Sequence, residues 1–567
     1  MIDVHRRPTL VHHLAGHVRA QPDVPCVFFR CQGVIVSRTW SEFGRDVMRM
    51  ATALESLGAK VGDRIALASP NRYEWVVADL AILGLGAVNV PLHASLTGPQ
   101  MRFQIVDSES AILIVSGDEQ LDKLRAAEPA PNSLRVVAFE STRQIGSEAV
   151  VSAWTELAAE PKDGDIATWC DRAAAERREN ELATILYTSG TTGEPKGVML
   201  THGNLESNAA GVVVGFHGPA GAPAVRDRRM NLLPLSHIYA RTCDFYCWLV
   251  AGSELALADT PLTAVADSAE MQPTLFNAVP YFYERLTRRL TELGVADMPG
   301  ALAKMLGGRV RHCCSGGAPL PDHVAKFFVD RGVLLTQGYG LTESSPVITM
   351  NTPHVFKHGT VGRAVPGVEV QIANDGEVLT RGPHVMLGSW NRPQETAAAI
   401  VDGWLHTGDL GELDADGYLK ITGRKKELIV TSGGKKVVPA AVESLLGQDS
   451  LVKQAVVVGD GRKCLTALVV PDLEKLAKSM TEAGLSIETQ NLCDDPRAAE
   501  FVRARLAERL KQLSHYEQVQ RVALVEREFS IDRGEVTLKL TYRRGEIAKN
   551  YADVIERLYA DLHIPTS

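Results

Sequence analysis

Residues 187–197 read Tyr-Thr-Ser-Gly-Thr-Thr-Gly-Glu-Pro-Lys-Gly, which concentrates hydroxyl groups, glycines and a lysine in one short segment. The apolar run at residues 182–186 just before it is typical of a buried strand. A glycine-rich turn can direct backbone N–H groups and hydroxyls toward a phosphate, and Lys196 adds a positive charge. The segment therefore predicts a loop that binds the phosphates of a nucleoside triphosphate.

The same segment departs from the Walker pattern of ordinary phosphate-binding loops. Pro195 stands at the position of the second glycine, and Gly197 follows the lysine where Ser or Thr is expected. Turns rich in glycine and threonine that bind no ligand are also common. Taken alone, the segment leaves phosphate binding and an ordinary turn as alternatives.

Three further motifs follow in the chain. Residues 337–344 read Gln-Gly-Tyr-Gly-Leu-Thr-Glu-Ser, residues 403–409 read Gly-Trp-Leu-His-Thr-Gly-Asp, and residues 423–427 read Gly-Arg-Lys-Lys-Glu. Together with residues 187–197 they resemble, in the same order, the signatures of the adenylate-forming superfamily. This superfamily includes acyl-CoA synthetases, firefly luciferase and peptide-synthetase adenylation domains. The resemblance extends from about Thr39 to the C-terminus and is strongest to bacterial long-chain fatty acyl-CoA synthetases.

The resemblance implies an α/β protein with two domains. The N-terminal AMP-binding domain, residues 1–425, is expected to contain α/β layers and a small β-subdomain. The C-terminal domain, residues 426–567, is expected to be a small, mobile α+β unit with its hinge at Lys426. A length of 567 residues agrees, because a single compact core rarely grows so large.

Local patterns predict several elements. Strand-like runs lie at residues 64–68, 112–115, 182–186 and 230–233, and they alternate with helical patterns, which favours an α/β fold. Ser41 is predicted to cap a helix that ends near Leu57.

Two segments are predicted to lie outside the core. Residues 143–180 are polar, charged and rich in alanine, and we expect a surface excursion there. Residues 215–227 are rich in Gly, Pro and Ala, and we expect a mobile loop.

The resemblance implies ATP-dependent activation of a carboxylic acid. The carboxylate attacks the α-phosphorus of ATP, pyrophosphate leaves, and the acyl-adenylate then reacts with coenzyme A. The implied catalytic residues are Thr188, Lys196, His237, Glu343 and Lys539. Glu343 is expected to bind Mg²⁺, a hard cation that prefers carboxylate oxygen and water.

The nucleotide site draws on all four motifs and on a glycine pair. The residues predicted to bind ATP or AMP are Thr188, Ser189, Gly190, Thr191, Thr192, Gly193, Lys196, Gly316, Gly317, Ala318, Pro319, Gln337, Gly338, Tyr339, Gly340, Thr342, Asp409 and Arg424. The resemblance implies that Asp409 and Arg424 contact the ribose. The resemblance also implies that residues 316–319 form a wall for adenine and that Tyr339 lies on the opposite side.

Three assignments carry structural alternatives. His237 is implied to lie beside the carboxylate, although a lone histidine is more often structural. Coenzyme A is expected at Ser432, Gly433, Gly434 and Lys435, because glycines allow close approach to the backbone. For Lys435, a solvated loop lysine is the plainer reading.

The C-terminal lysine of the superfamily has two possible registers here. Matching Thr-Leu-Lys-Leu selects Lys539, whereas counting without gaps selects Thr541. In an extended segment these two positions share one face. Lys539 is the predicted adenylation lysine, with an ordinary exposed lysine as the alternative.

The composition limits where the protein is expected to reside and which partners it is expected to bind. The net charge of −8 gives no indication of a nucleic-acid surface, and the nine cysteines show no disulfide pattern. The N-terminus lacks the apolar core of a signal peptide. The longest apolar stretch, residues 75–91, is interrupted by Asp79 and two glycines, and it predicts a buried helix and strand. We expect a cytoplasmic protein, with peripheral membrane contact and a homodimer left open.

The implied activity is that of a fatty acid–CoA ligase that uses ATP, Mg²⁺ and medium- to long-chain acids. Three alternatives stay open. The protein could pass its acyl group to a carrier protein, although the glycines of residues 431–439 argue against this. It could activate an aromatic or short-chain acid. It could also be a regulatory nucleotide-binding protein that has lost adenylation, an alternative motivated by the uncertain lysine.

Overall fold

The computed structural model describes residues 7–126, 134–140, 151–157, 163–189, 194–218, 226–485, 492–530, 532–536 and 542–560. These residues divide into two compact units. The first consists of the described residues within Met1–Gln371, Leu379–Thr407 and Asp414–Leu419. The second consists of those within Ile372–Val378, Gly408–Leu413 and Lys420–Ser567.

The strands are β1 (Pro25–Cys31), β2 (Val34–Thr39), β3 (Arg64–Ala68), β4 (Val88–Leu92), β5 (Ile112–Val115), β6 (Arg135–Ala138), β7 (Val151–Ala153), β8 (Leu182–Ser189), β9 (Pro195–Thr201), β10 (Arg228–Asn231), β11 (Glu254–Leu257), β12 (Leu275–Ala278), β13 (His312–Ser315), β14 (Leu334–Gly340), β15 (Val347–Met350), β16 (Arg363–Ala364), β17 (Glu369–Ile372), β18 (Glu377–Arg381), β19 (Gly388–Ser389), β20 (Ile400–Val401), β21 (Trp404–Leu413), β22 (Leu419–Arg424), β23 (Ile429–Val430), β24 (Lys436–Val437), β25 (Val452–Val458), β26 (Leu465–Pro471) and β27 (Val519–Leu524).

The helices are α1 (Leu10–Ala20), α2 (Trp40–Ser56), α3 (Tyr73–Leu85), α4 (Gly98–Asp107), α5 (Asp118–Ala126), α6 (Trp154–Leu157), α7 (Asp163–Glu176), α8 (His202–His217), α9 (Ile238–Ala240), α10 (Cys247–Ala251), α11 (Ala264–Met271), α12 (Pro280–Glu292), α13 (Ala301–Met305), α14 (Asp322–Val329), α15 (Pro393–Ala399), α16 (Pro439–Leu446), α17 (Leu473–Glu482), α18 (Pro496–Leu510), α19 (Arg544–Asn550) and α20 (Ala552–Tyr559). A π-helical turn, Arg241–Tyr246, lies between α9 and α10.

Two large sheets organise the first unit. One has the strand order β19-β9-β8-β4-β3-β5-β6-β7, and the other has the order β16-β15-β14-β13-β12-β10-β11-β1-β2. The inner strands of both sheets are parallel, and most of them are separated in the chain by helices. This is the predicted α/β fold. Since the carboxyl ends of parallel strands share one edge, that edge is where such sheets bind ligands.

A fully buried polar network lies inside the first unit. Helix α3 is buried along almost its whole length, and its one buried acid, Asp79, forms an ion pair with Arg241. Asp79 also accepts hydrogen bonds from Asn89 Nδ2 at 2.5 Å and Tyr246 OH at 2.9 Å. Arg241 Nη1 donates to Thr184 Oγ1 at 2.8 Å. The network therefore joins α3 and the π-helical turn to the strand that leads into residues 187–197.

The remaining strands form smaller sheets. Strands β17, β18, β21 and β20 pair in that order, and β22 pairs with β21. In the second unit β25, β26 and β27 form a three-stranded sheet whose apolar face packs with α16, α17 and α18. This arrangement is the expected small α+β unit. None of the helices among the described residues combines the length and apolar character needed to cross a bilayer.

Several local predictions are confirmed and one cap is corrected. Strands β3 and β5 have the predicted bounds, and the stretch at residues 75–91 forms α3 and β4. Helix α2 begins at Trp40 and is capped by Thr39, so the prediction of Ser41 as the cap was wrong. The hydroxyl of Thr39 accepts from Glu42 N at 3.3 Å, and the Glu42 carboxylate accepts from Thr39 N at 2.8 Å. This reciprocal capping box fixes the start of the helix.

The prediction that residues 143–180 form a surface segment outside the core was wrong for the second half of that range. Helix α7 packs against α1 and α2. Its buried side chains are Ile166, Trp169, Cys170, Ala173 and Ala174. These residues recur at helical spacing within a polar composition, so they form one apolar face.

The predicted loop at residues 215–227 is shorter than expected, because α8 continues to His217. Asp227, at its other end, is 3% exposed, pairs with Arg311 and accepts from Thr274 Oγ1 at 2.7 Å. Residues 219–225 lie outside the described residues.

Candidate active site

Two side chains that follow the carboxyl ends of β3 and β4 contact the end of β10 and the loop that carries His237. Asn71, which follows β3, donates from Nδ2 to Asn231 Oδ1 at 2.8 Å and to Leu233 O at 2.7 Å. The Asn71 Oδ1 atom accepts from Leu235 N at 2.8 Å. His93 follows β4, and its Nδ1 lies 2.9 Å from Ser236 Oγ. Asn71 and His93 thus hold the loop that carries His237 against the other sheet.

The segment at residues 187–197 forms the end of a β-hairpin. Strands β8 and β9 are antiparallel, and Thr188 lies opposite Lys196. Thr188 and Ser189 belong to strand β8, which is longer than predicted, and Lys196 belongs to β9. The hairpin thus presents the predicted hydroxyl and ammonium groups side by side. The predicted residues Gly190, Thr191, Thr192 and Gly193 lie outside the described residues.

Packing explains why glycine replaces the Walker Ser or Thr at position 197. A Cβ atom on Gly197 would lie 2.6 Å from Ile185 Cγ2 and 3.2 Å from Trp390 Cβ. Trp390 N also donates a hydrogen bond to Gly197 O at 2.7 Å. The strand after Lys196 is therefore covered by the chain around Trp390, a contact that the motif alone does not reveal.

Two ion pairs connect the hairpin to α15. Lys196 Nζ pairs with Glu395, and Arg392 donates to Glu194 at 3.3 Å. The sequence reasoning missed Glu395. Its only signal is an acid in the first turn of a helix that begins with Pro393, and this pattern marks an ordinary helix start.

The predicted adenine wall and Tyr339 lie on adjacent strands. Ser315 is opposite Gln337 in the parallel pairing of β13 and β14, so Gly316 leaves β13 at the level where β14 continues as residues 338–340 and pairs with β15. Gly316 N donates to Ala278 O at 3.2 Å. A Cβ on Gly316 would approach the ring of Tyr239 to 2.8 Å, so the wall is flat because an aromatic ring supports it from behind.

The motif at residues 337–344 turns sharply. A side chain on Gly340 would lie 1.7 Å from Pro346 O, so only glycine fits there. Thr342 and Glu343 form a 3-10 turn, and Glu343 O accepts from Met386 N at 2.9 Å. Across the part of the chain that the structure describes, no three Asp, Glu, His or Cys side chains come together as a metal site. A single half-buried carboxylate suits a Mg²⁺ ion that is held mainly by phosphate oxygens and water.

His237 has a structural role and also lies at the site. Its Nδ1 accepts a hydrogen bond from Tyr239 N at 3.2 Å, which caps the short helix α9. In the neutral imidazole the proton then resides on Nε2, which makes that atom a donor. The ring centroids of His237 and His93 are 6.4 Å apart. The structural reading of His237 is therefore confirmed, and its place beside the carboxylate stays a prediction.

In the second unit, the predicted ribose residues pair with each other. Arg424 Nε lies 3.0 Å from Asp409 Oδ1, and the Asp409 side chain is 8% exposed. The buried Glu377, missed from the sequence, accepts from Gly408 N and from Lys425 Nζ, both at 2.9 Å. Hydrogen bonds that the ammonium of Lys425 donates to Asp375 and Glu377 raise the pKa of Lys425. The residue before Lys426 is thus held firmly by two carboxylates.

The predicted coenzyme A loop connects β23 and β24. Gly434 adopts a φ of +73°, and its N–H donates to Thr431 O at 2.8 Å. Ser432 N donates to Arg462 O at 2.8 Å, and Lys435 Nζ lies 5.5 Å from the centre of the Tyr516 ring. Gly433 and Gly434 therefore lie in a tight, exposed turn.

The predicted adenylation lysine, Lys539, and its alternative, Thr541, lie outside the described residues. The residues on either side are held in place: Val536 pairs with Tyr542 in an antiparallel bridge. The neighbouring Glu535 is fully buried, and its Oε1 accepts from Asn550 Nδ2 at 3.0 Å.

Comparison with known proteins agrees with the motifs. The AMP-binding enzyme family matches residues 14–390, and the AMP-binding enzyme C-terminal domain matches residues 426–563. The long-chain-fatty-acid–CoA ligase FadD15 of Mycobacterium bovis is 33% identical over 96% of both chains. Long chain acyl-CoA synthetase 4 of Arabidopsis thaliana is 29% identical over 94% of this chain and 88% of that protein.

Solved structures share the fold. A fatty acyl CoA synthetase of Mycobacterium tuberculosis superposes with a TM-score of 0.65 at 24% identity, covering 96% of this chain and 99% of that one. The anthranilate CoA ligase AuaEII, solved with anthranoyl-AMP, gives a TM-score of 0.74 at 21% identity, covering 97% and 98%. With the family matches over most of its length, the chain belongs to the AMP-binding, adenylate-forming enzymes, close to the fatty acyl-CoA synthetases.

Proposed function

We propose that the protein is an ATP- and Mg²⁺-dependent fatty acid–CoA ligase that forms acyl-CoA, AMP and pyrophosphate from medium- to long-chain acids. The observation that carries the proposal is the 33% identity, over 96% of both chains, to a protein named long-chain-fatty-acid–CoA ligase. The hairpin that pairs Thr188 with Lys196 at the edge of the sheets supports it.

The first step activates the acid. A carboxylate oxygen attacks the α-phosphorus of ATP, the bond from that phosphorus to the bridging oxygen breaks, and pyrophosphate leaves. Thr188 and Lys196 bind the β- and γ-phosphates, so they stabilise the charge that collects on the leaving group. The Nε2–H of His237 donates to a carboxylate oxygen of the acid. Lys539 contacts the carboxylate and the α-phosphate.

Glu343 is the residue that would hold Mg²⁺. When bound, the ion would neutralise charge on the phosphate oxygens. The remaining nucleotide contacts come from the backbone of residues 316–319, from Tyr339 beside the adenine, and from Asp409 and Arg424 at the ribose hydroxyls. Gly338 and Gly340 keep the backbone on either side of Tyr339 free of side chains.

The second step transfers the acyl group. The thiol sulfur of coenzyme A attacks the carbonyl carbon of the adenylate, the bond to the AMP oxygen breaks, and the thiol proton is released. We propose that residues 1–425 and 426–567 act as separate domains, and that rotation at Lys426 exchanges the two steps. Ser432, Gly433, Gly434 and Lys435 would then bind coenzyme A.

The turn at Gly433 and Gly434 leaves a backbone without side chains, against which the pantetheine arm of coenzyme A can lie. We propose that the enzyme works in the cytoplasm. Vesicle flotation and light scattering of the purified protein test membrane contact and dimer formation.

The decisive experiment supplies ATP, Mg²⁺ and a panel of acids, namely acetate, octanoate, palmitate, oleate and benzoate, with and without coenzyme A. AMP, pyrophosphate and thioester are measured. The proposal expects thioester with octanoate, palmitate or oleate, and much less with acetate and benzoate. Acyl-AMP that accumulates in the presence of coenzyme A would instead favour a carrier protein as acceptor. A strong preference for benzoate would overturn the fatty acid assignment.

A further inference from the structure

Lys196, the proposed phosphate-binding lysine, already has an anionic partner. Its ammonium pairs with the carboxylate of Glu395, and the two side chains are 25% and 38% exposed. A lysine ammonium is a compact point charge, so a phosphate and a carboxylate that use it together are brought close to each other. Two negative groups at that separation repel, and the pair with Glu395 must weaken when a phosphate oxygen approaches.

Glu395 is held in this position by the strand that carries Lys196. Strand β19 adds to the edge of β9, with Ser389 opposite Val198. The Thr396 hydroxyl accepts from Ser389 N at 2.9 Å and donates to Arg392 O at 3.0 Å, which fixes the start of α15. The carboxylate therefore comes from an anchored segment rather than from a freely moving loop.

A second ion pair, from the residue that precedes the same helix, serves as a natural control. Arg392 pairs with Glu194 at 3.3 Å, and their side chains are 37% and 69% exposed. This pair also links α15 to the hairpin, but its charges are reversed and it does not involve Lys196. Loss of the Arg392 pair and loss of the Glu395 pair weaken the same connection, and only the second removes the carboxylate beside Lys196.

We propose that Glu395 is a built-in competitor of the ATP phosphates for Lys196. This inference rests on the proposed function of Lys196 in ATP binding. The carboxylate holds the ammonium close to the site and limits the affinity for ATP. The enzyme therefore binds ATP less tightly, and releases pyrophosphate more readily, than its phosphate-binding groups alone would allow. The opposite role, in which Glu395 orients Lys196 toward the phosphates, makes the opposite prediction for ATP affinity.

The test compares Glu395→Gln, which keeps the shape and removes the charge, with Arg392→Gln. ATP affinity is measured by calorimetric titration with Mg²⁺ and without acid, and the KM for ATP is measured with saturating acid and coenzyme A. Partly exposed ion pairs contribute little, so we expect Glu395→Gln to tighten ATP about twofold to fivefold. Arg392→Gln should leave the affinity unchanged. An unchanged or weakened affinity in Glu395→Gln would overturn the proposal.

A double variant tests whether the effect passes through the lysine. In a Lys196→Gln background, Glu395→Gln should give little further change in ATP affinity. An equal gain in that background would show that Glu395 acts on the phosphates alone, and the proposal would fail. The titration needs no turnover: tighter ATP binding in a protein that forms no AMP with any acid would leave this inference standing and refute the proposed function.

Discussion

Removing the charge of Asp79 is the perturbation whose consequence the structure defines best. Asp79 and Arg241 are fully buried, and the carboxylate accepts from Asn89, Tyr246 and Arg241. Replacing it with Asn leaves the size nearly unchanged but removes the negative charge. One of the two acceptor positions becomes an N–H donor that faces other donors. Within the described residues the Arg241 Nε atom has no hydrogen-bond partner even before the change, so the guanidinium would become an uncompensated buried charge.

Breaking one side of a buried ion pair costs about 3–5 kcal/mol. We therefore expect Asp79→Asn to lower the free energy of unfolding by about 3–5 kcal/mol, which shifts the urea midpoint by on the order of 1 M. Arg241 also donates its backbone N–H to His237 O at 3.1 Å and its Nη1 to Thr184, so adenylation should slow as well.

The assay is urea unfolding monitored by tryptophan fluorescence. Trp75 is a suitable reporter because its ring centre lies 5.7 Å from the guanidinium carbon of Arg241. Asp330→Asn is the control, because Asp330 forms an exposed pair with Lys326 and should change stability by less than about 0.5 kcal/mol. Adding Arg241→Gln to Asp79→Asn should cost less than the sum of the two single changes. A midpoint for Asp79→Asn within error of the wild type would refute the reasoning.

Three further predictions concern single residues. Burial lowers the pKa of His312 to about 3, below its ordinary value of 6.5. The unfolded chain therefore binds more protons between those values, and stability falls as pH drops through that window. His312→Asn, which can keep the contact with Thr336, should reduce this loss, as urea midpoints above and below pH 6.5 would show; an unchanged slope would contradict it. Gly316→Ala should lower kcat/KM for adenylation about tenfold, because its Cβ would lie 2.8 Å from the Tyr239 ring. Tyr239→Leu in the same chain should restore part of the rate, and no recovery would rule out this steric cause. Lys539→Ala should stop adenylation yet still convert supplied acyl-AMP to thioester; normal adenylation would assign the role to another residue.

The sequence predicted those parts of the structure that depend on local pattern. Strands β3 and β5 were predicted with their bounds because each is a short apolar run that ends at a turn. The motifs also led to groups that meet in space: Thr188 lies opposite Lys196, and Asp409 pairs with Arg424. In these cases the local sequence, or a resemblance carried by it, contains the relevant information.

Other features depend on partners that lie far apart in the chain. Asp79 looked like an interruption of an apolar stretch, and only the fold brings Arg241 to it. In the sequence, Glu395 is an ordinary acid in the first turn of a helix. Its contact with Lys196 arises only in the fold, where strand β19 pairs with the strand that carries Lys196. Helix α7 was missed because its apolar face is spread through a polar composition, so the average hydropathy of the segment hid the period.

The most direct test of the central claim is acid-dependent exchange of labelled pyrophosphate into ATP without coenzyme A. This exchange reports the formation and reversal of an acyl-adenylate and needs no second substrate. We predict exchange with Mg²⁺ and octanoate, palmitate or oleate, loss of exchange without acid, and a strong decrease in Lys196→Gln. Absence of exchange with every acid, or formation of ADP and phosphate in place of AMP and pyrophosphate, would contradict the account.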